Sequence, residues 1–145
     1  MKPEVATKEP FIPLMRELVR TYQAFAEFDA RGHRASGLTT GQADVIFTLG
    51  NTDGLTFREI GERTLITKGT LTGVIDRLEA KGLVERVAFP GDRRCTQVRL
   101  TAAGQRCFEE RFPAHIAYLK ARFDRLSADE RAAALAALRT LRGLF

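Results

Sequence analysis

Residues 57–74 read FREIGERTLITKGTLTGV, and they predict two helices joined by a tight turn. Thr56 stands just before this stretch and forms a capping box with Glu59: its hydroxyl can accept the Glu59 amide while that carboxylate reaches back to the Thr56 amide. We therefore expect a short helix over 57–63. Thr67 can cap a second, longer helix that Gly82 ends. Two helices so closely joined are typical of a helix-turn-helix.

The two helices have an apolar face and a polar face. Apolar residues recur at helical spacing and are expected to form a small core: Ile60, Ile66, Leu71, Val74, Ile75 and Leu78. Gly61 is expected to let the helices approach closely. On the other face of the second helix, Lys68 can reach guanine or phosphate, threonines can contact base edges, and Arg77 can bind a phosphate. A helical hairpin with a solvated polar face is an equally good explanation of the helix pair alone.

A β-hairpin is predicted directly after the second helix. LVERVAF (83–89) and CTQVRL (95–100) have the β-branched content and partial alternation of strands, and Pro90 and Gly91 are expected to form the turn between them. Arg93 and Arg94 follow the turn, so that two cations lie at its tip. A helix-turn-helix followed by such a hairpin predicts a winged helix.

Helices are predicted on both sides of the winged helix. One is expected over about 13–34, and another begins at a Thr40 cap and ends before the NTDG turn at 51–54. Thr101 can cap a long helix with a kink at Pro113, and a capping box of Ser127 and Glu130 opens the last helix. Only residues 1–9 look loose. The order α-α-α-α-β-β-α-α predicts a mainly α fold with a small β-hairpin wing.

Composition and charge favour a single-domain protein that binds a polyanion. The 145 residues are 44% hydrophobic and 28% charged, without a signal peptide or a membrane-spanning stretch, which predicts a cytoplasmic protein with no membrane partner. The net charge is +5: residues 1–54 carry six Lys or Arg against seven Asp or Glu, and residues 55–145 carry 17 against 11. Nucleic acid is the expected partner of this basic part.

Two segments together resemble the MarR family of bacterial winged-helix regulators. They are TKGTLTGVIDRLEAKGLVER (67–86) and DRRCTQVRLTAAG (92–104). The wing signature of that family, D-x-R, three residues, then V-x-L-T, is matched by Asp92, Arg94, Val98, Leu100 and Thr101. The resemblance covers 1–145 as a single chain, and LSADERAAALAALRTL (126–141) is similar to the terminal helix of the family. It implies a winged helix-turn-helix over 38–101 and a helical dimerisation region formed by 10–37 and 102–145.

This resemblance implies a homodimeric, sequence-specific transcriptional regulator, a ligand-responsive repressor that binds a pseudo-palindromic site on double-stranded DNA. It implies that Arg94 enters the minor groove, that Arg93 contacts the backbone, and that Asp92 holds the turn and its arginines in place. The family often has serine at the position of Gly69 and arginine at that of Gly73, so base readout shifts toward the remaining polar residues. The expected DNA-binding residues are Lys68, Gly69, Thr70, Thr72, Gly73, Arg77, Arg93 and Arg94.

Several residues allow other functions. Four aromatic residues are either core or the lining of a pocket for the small aromatic effector that the resemblance implies: Tyr22, Phe25, Phe28 and Phe47. Cys95 and Cys107 match neither a disulfide framework nor a zinc site, which leaves incidental thiols or a cysteine-based redox sensor. A metal site at His33 and His115 is not expected. A winged-helix module that binds a protein is a further alternative, whereas an enzyme or a cofactor site lacks any supporting motif.

Overall fold

The computed structural model describes residues 1–64, 66–89 and 91–145 of the chain. It divides into two compact units, Met1–Thr40 and Gly41–Phe145. The first unit contains α1 (Pro3–Ala6), α2 (Ile12–His33) and a 3₁₀ turn (Arg34–Ser36). The helix predicted over 13–34 is therefore confirmed to within one residue at either end. The expectation of a loose N-terminus is wrong for Pro3–Ala6, since Pro3 starts a single helical turn there.

The remaining elements follow the predicted order with one addition. They are α3 (Thr40–Leu49), β1 (Leu55–Thr56), α4 (Phe57–Arg63), α5 (Lys68–Ala80), β2 (Val84–Phe89), β3 (Asp92–Leu100), α6 (Ala102–Phe123) and α7 (Ala128–Arg142). The two-residue strand β1 was not predicted. Thr40, predicted as a cap, is the first helical residue of α3. None of the described helices combines the length and apolar content needed to cross a membrane.

Among the described residues, side-chain caps start α4, α6 and α7. Thr56 Oγ1 accepts the Glu59 amide at 3.2 Å and Thr56 N donates to Glu59 Oε2 at 2.8 Å, and Ser127 and Glu130 form the same reciprocal pair at α7. The hydrogen bond from the Thr56 amide lowers the pKa of Glu59, and the Ser127 amide likewise lowers the pKa of Glu130. Thr101 Oγ1 accepts the Gly104 amide at 3.1 Å. These three predicted caps are confirmed.

Thr67 differs from the other predicted caps. It occupies the N-cap position of α5 with extended backbone, but its side chain makes no capping hydrogen bond within the described residues. Its hydroxyl instead donates to Thr70 Oγ1 at 3.1 Å. Because that bond lies on the exposed side of the helix start, the hydroxyl of Thr70 already has one partner on the predicted DNA-binding face.

The strands form one antiparallel sheet in the order β1-β3-β2. In the hairpin, Val84 pairs with Leu100 and Phe89 pairs with Asp92, with a register irregularity between Ala88 and Phe89. In β1, Leu55 pairs with Val98, so that β3 is bonded on both sides near its C-terminal end. Gly91 adopts a φ of +94°, which glycine tolerates at a turn, while Pro90 lies outside the described residues. The predicted hairpin is confirmed.

The core of the second unit is formed by apolar side chains of its helices and strands. The fully buried ones are Ala43, Val45, Ile46, Leu49, Ile60, Leu71, Ile75, Leu78, Val84 and Val98. The predicted contact between α4 and α5 is included in this core, although Ile66 is only half-buried. The wing strands therefore share one core with the helix-turn-helix, which holds the base of the wing against α5.

Close packing requires glycine at positions that differ from the predicted one. A Cβ on Gly61 would lie 3.9 Å from Leu71 Cδ2, an ordinary contact, so the expectation that Gly61 is needed for helix approach is wrong. A Cβ on Gly104 would lie 1.9 Å from the Leu83 carbonyl oxygen, and one on Gly50 would lie 2.3 Å from the Phe108 ring. Glycine at 104 thus lets the first turn of α6 contact the start of the wing.

The C-terminal helices differ in their packing. The helix α6 continues through Pro113 and buries Gly104, Phe108 and His115. The helix α7 buries no side chain, although leucines recur along it. Large exposed apolar residues are frequent toward this end of the chain: Phe123, Leu126, Leu135, Leu138, Leu144 and Phe145. Such a concentration is typical of a surface that another molecule covers.

Candidate nucleic-acid interface

The outer face of α5 is polar, exposed and built from small residues. Lys68, Gly69, Thr70 and Thr72 are exposed, whereas Leu71 between them is buried. A Cβ on Gly69 would meet nothing within 4 Å, and one on Gly73 would meet only Arg77 Nη1, at 3.9 Å. The glycines therefore leave open space along this face, and backbone and threonine hydroxyls are accessible at the start of the helix.

The tip of the wing is organised by Asp92. Its Oδ1 accepts a hydrogen bond from the Arg94 backbone amide at 2.9 Å, and Cys95 Sγ donates to its Oδ2 at 3.8 Å. The carboxylate thus acts on the backbone of the turn, and the guanidinium groups of Arg93 and Arg94 extend into solvent. Asp92 orders the loop that carries both cations without engaging their side-chain charges.

Some basic side chains of the second unit are paired within the chain, and others are not. Arg58 pairs with Glu62 at 2.9 Å, and Arg99 pairs with Glu85 across the hairpin at 2.7 Å. Within residues 1–64, 66–89 and 91–145, the structure shows neither ion pair nor hydrogen bond for the side-chain charges of four other cations: Lys68, Arg77, Arg93 and Arg94. These four are the cations that the sequence predicted to bind DNA. They lie on α5 and at the wing tip, with their charges available to a polyanion.

Arg86 connects the wing to both helices of the helix-turn-helix, a role that sequence reasoning missed. Its Nη1 donates to Glu79 Oε1 at 2.6 Å and its Nη2 donates to Asp76 Oδ1 at 2.5 Å, while its backbone amide donates to Glu79 Oε2 at 3.3 Å. The guanidinium carbon also lies 5.6 Å from the centre of the Phe57 ring. Mainly through the bond to Asp76, the pKa of Arg86 is raised, so the group stays charged.

The predicted pocket residues are distributed over both units. Tyr22 and Phe25 are exposed on α2, and Phe28 is half-buried with the Arg31 guanidinium 6.0 Å from its ring centre. Phe47 belongs to the second unit, where its ring packs edge-on against Phe112 at 5.2 Å. Phe47 thus contributes to packing, and an effector pocket at these four residues stays a prediction.

The histidines are packed rather than exposed. His33 is buried on α2 with its Nε2 3.6 Å from Asp29 Oδ2 one turn earlier. His115 is buried on α6, where its ring centre lies 5.8 Å from that of Phe47. Each ring therefore has a neighbour that holds it in place.

The two cysteines have different surroundings. Cys95 is exposed at the wing tip, and Cys107 is half-buried on α6. Burial raises the pKa of the Cys107 thiol, which keeps it protonated and poorly reactive at neutral pH. Any thiol chemistry of this chain therefore concentrates at Cys95.

Comparison with known proteins connects this geometry to DNA-binding regulators. A family model described as the MarR family matches residues 36–94. The HTH-type transcriptional regulator MhqR of Bacillus subtilis (strain 168) is 30% identical over 122 residues, which are 84% of this chain and 84% of MhqR. The residues matched by the family model include α5 and the hairpin as far as Arg94.

Two solved structures are similar over nearly the whole chain. A mutant of MarR from E. coli in complex with operator DNA has a TM-score of 0.80 at 26% identity, covering 92% of this chain and 99% of that one. BpsR of Bordetella bronchiseptica, whose DNA binding is regulated by 6-hydroxynicotinic acid, has a TM-score of 0.77 at 30% identity, covering 88% and 91%. These similarities confirm the predicted mainly α, winged helix-turn-helix fold.

Proposed function

The chain belongs to the MarR family and is a DNA-binding transcriptional regulator rather than an enzyme, and we propose that it binds a pseudo-palindromic DNA site as a homodimer. In this proposal α5 enters the major groove and the wing arginines reach the minor groove. Residues 38–101 form the DNA-binding region, and residues 10–37 and 102–145 form the dimerisation region.

The absence of intramolecular partners for Lys68, Arg77, Arg93 and Arg94, among the residues described, is the observation that carries the proposal. The exposed Arg58 and Arg99 are engaged in ion pairs with Glu62 and Glu85, whereas the fold leaves the charges of these four cations available to a ligand. Phosphate contacts by such side chains supply most of the sequence-independent affinity for DNA. Their placement at α5 and the wing tip matches the two grooves that a winged helix contacts.

Sequence specificity is proposed to come from the first two turns of α5 and from the wing. Thr70 and Thr72 are exposed and can bond base edges or contact a thymine methyl group, and the open space at Gly69 and Gly73 lets the helix backbone approach the bases. Arg94 at the wing tip is suited to a minor groove narrowed by A·T base pairs, whose negative potential attracts arginine. Arg93 is then left to contact the backbone.

Homodimer formation is supported by apolar side chains that the monomer leaves uncovered. The helix α7 buries none of its side chains, and exposed leucines and phenylalanines follow one another through the C-terminal region. A helix with this composition is stabilised chiefly by packing, so a second copy of the chain is the proposed cover. Two-fold symmetry would place the recognition helices in successive major grooves, about 34 Å apart.

We propose that the dimer represses transcription and that binding of a small aromatic effector releases the dimer from DNA. The support for an effector is BpsR, whose DNA binding is regulated by 6-hydroxynicotinic acid. An effector must bind one dimer conformation more tightly than the other, commonly by about 1–3 kcal/mol. The aromatic residues Tyr22, Phe25, Phe28 and Phe47 are its proposed contacts.

Selection of purified protein against random duplex DNA at two salt concentrations tests the proposal. We expect an enriched site with two-fold symmetry and a Kd that rises steeply with salt. Arg94→Ala should weaken binding at every site and reduce the slope of log K against log salt by about one, whereas Thr72→Ala should change sequence preference. Arg99→Ala is the matched control, because its guanidinium is already paired with Glu85. Failure to enrich any DNA would indicate a protein-binding module instead.

Transcription from a promoter carrying the selected site tests repression. Adding the protein should lower the transcript level, and adding an aromatic acid that binds the protein should restore it. An increase in transcript on adding the protein would show an activator.

A further inference from the structure

Arg86 is the point at which three elements of the winged helix meet. It lies on β2, bonds two carboxylates of α5, and stacks against the Phe57 ring at the start of α4. Its side chain is 28% exposed, compared with 50% for Arg99 on the neighbouring strand. A partly buried guanidinium with its donors directed at two carboxylates has little left to offer a phosphate.

The carboxylates that Arg86 binds lie on the DNA-binding side of α5. Asp76 follows Thr72 by four residues and Gly73 by three, spacings that place side chains on the same side of a helix. Its side chain is 59% exposed, and that of Glu79 is 43% exposed. Two negative charges at this position would repel the phosphates that the proposed binding mode brings close to α5.

The geometry points to Arg86 as a positioning residue for DNA binding, which acts without touching DNA by holding and neutralising Asp76 and Glu79 on the recognition helix. This inference rests on the proposed function, since it assumes that α5 enters the major groove. It separates Arg86 from Arg94, which is proposed to contact DNA directly. It also requires arginine in particular, since a planar guanidinium can bond both carboxylates at once and a lysine ammonium binds as a point charge.

A variant cycle on the selected DNA site tests this role. Arg86→Gln should raise Kd about tenfold, a loss within the range of directly coupled residues. The double variant D76N/E79Q should bind at least as tightly as the wild type. The triple variant R86Q/D76N/E79Q should recover to within about threefold of the wild-type Kd, because it has no uncompensated carboxylate. R86K should fall between wild type and R86Q.

The salt dependence separates positioning from direct contact. If Arg86 bound a phosphate, R86Q and the triple variant would be equally weak, and both would lose about one unit of slope in log K against log salt. That result would overturn the inference, as would an unchanged Kd in R86Q. If the wild type fails to bind DNA while remaining folded, the proposed function fails instead.

Loss of folding is excluded with a control on the same hairpin. Arg99→Gln removes the ion pair with Glu85, which joins the two wing strands without reaching α5. R99Q should keep the wild-type Kd, and R99Q and R86Q should both show the circular dichroism spectrum of the wild type. Weakening by R99Q equal to that by R86Q would attribute the effect to general loosening of the hairpin and overturn the role of Arg86.

Discussion

Arginine serves two purposes within one short hairpin. Arg86 pairs with two carboxylates of α5 and joins the wing to that helix, and Arg99 pairs with Glu85 and joins the two wing strands. Arg93 and Arg94 extend from the tip of the wing and are proposed to bind DNA. All four side chains carry the same charge, so composition alone cannot separate the groups. The separation depends on which arginine has a carboxylate within reach, which is a property of the folded chain.

Gly104→Ala should destabilise the protein by about 1–3 kcal/mol, the usual cost of overpacking. The added Cβ would lie 1.9 Å from the Leu83 carbonyl oxygen, so the helix α6 and the start of the wing must move apart. Urea denaturation measures the change. Gly69→Ala is the control, because its Cβ meets open space on α5 and alanine favours the helix. Equal stability of G104A and wild type would contradict the close approach.

The cysteines should react at different rates with iodoacetamide. Cys95 is exposed and should be alkylated first, whereas burial raises the pKa of Cys107 and lowers its thiolate fraction. Mass spectrometry of the intact protein over time, with Cys95→Ser as the reference, measures both rates. Faster modification of Cys107 would contradict the assignment. If DNA affinity is equal before and after mild peroxide treatment, the redox-sensor alternative is excluded.

Among the helices and strands, local signals predicted most boundaries, and tertiary contacts produced the exceptions. The capping boxes at Thr56 and Ser127 are read from residues three apart, Thr101 is read as a single capping residue, and the helices after them begin where predicted. The strand β1 has two residues and no periodic pattern, and it forms only because Leu55 meets Val98, far along the chain. Requirements that depend on distant atoms, such as glycine at 104, leave no local signal in a single sequence.

In the candidate site, too, the residues in local motifs could be predicted from the sequence, whereas those that depend on tertiary contacts could not. The helix-turn-helix spacing and the wing signature locate Lys68 and Arg94, because both motifs are local. The function of Arg86 depends on Asp76 and Glu79, which are separated from it by the turn at Gly82. In the sequence, Arg86 is one basic residue among many, and only the folded structure shows that it pairs with Asp76 and Glu79.

The capping box of α4 should make stability depend on pH. The Thr56 amide lowers the pKa of Glu59 below its ordinary value of 4.5, so this carboxylate stabilises the fold above that value and loses its contribution as pH falls through the lowered pKa. Glu59→Ala should therefore be less stable than wild type at pH 7, and the difference in free energy of unfolding between the two proteins should be smaller at pH 3. Urea denaturation at both pH values tests this. Glu62→Ala, on the same helix outside the box, is the control, and an equal narrowing there would contradict the assignment.

The exposed leucines of α7 lead to a prediction about assembly. Leu135 and Leu138 are 48% and 52% exposed, and we propose that a second copy covers them. The double substitution L135E/L138E should convert the dimer to a monomer in sedimentation equilibrium, because burying two carboxylates in an apolar interface is unfavourable. DNA affinity should fall at least about a hundredfold, since the second recognition helix is lost.

A matched control keeps the assembly test specific. Thr140→Glu places a charge two residues from Leu138, on the opposite side of the helix, and should leave the dimer intact. Dissociation by T140E alone would contradict the assignment of the interface to the leucine side of α7. A wild-type protein that sediments as a monomer at micromolar concentration would reject the proposed dimer itself.

The register of the sheet determines how the wing responds to a load. Near Val98, whose side chain is fully buried, β3 is bonded to both β1 and β2. From Thr96 toward the tip of the wing, β3 is bonded to β2 alone and its residues are exposed. We therefore expect the base of the wing to be stiff and the hairpin to bend more easily from the register irregularity at Ala88 toward its tip. The outer hairpin should then bend to fit DNA grooves of different width, without displacement of α5, the helix proposed to read the bases.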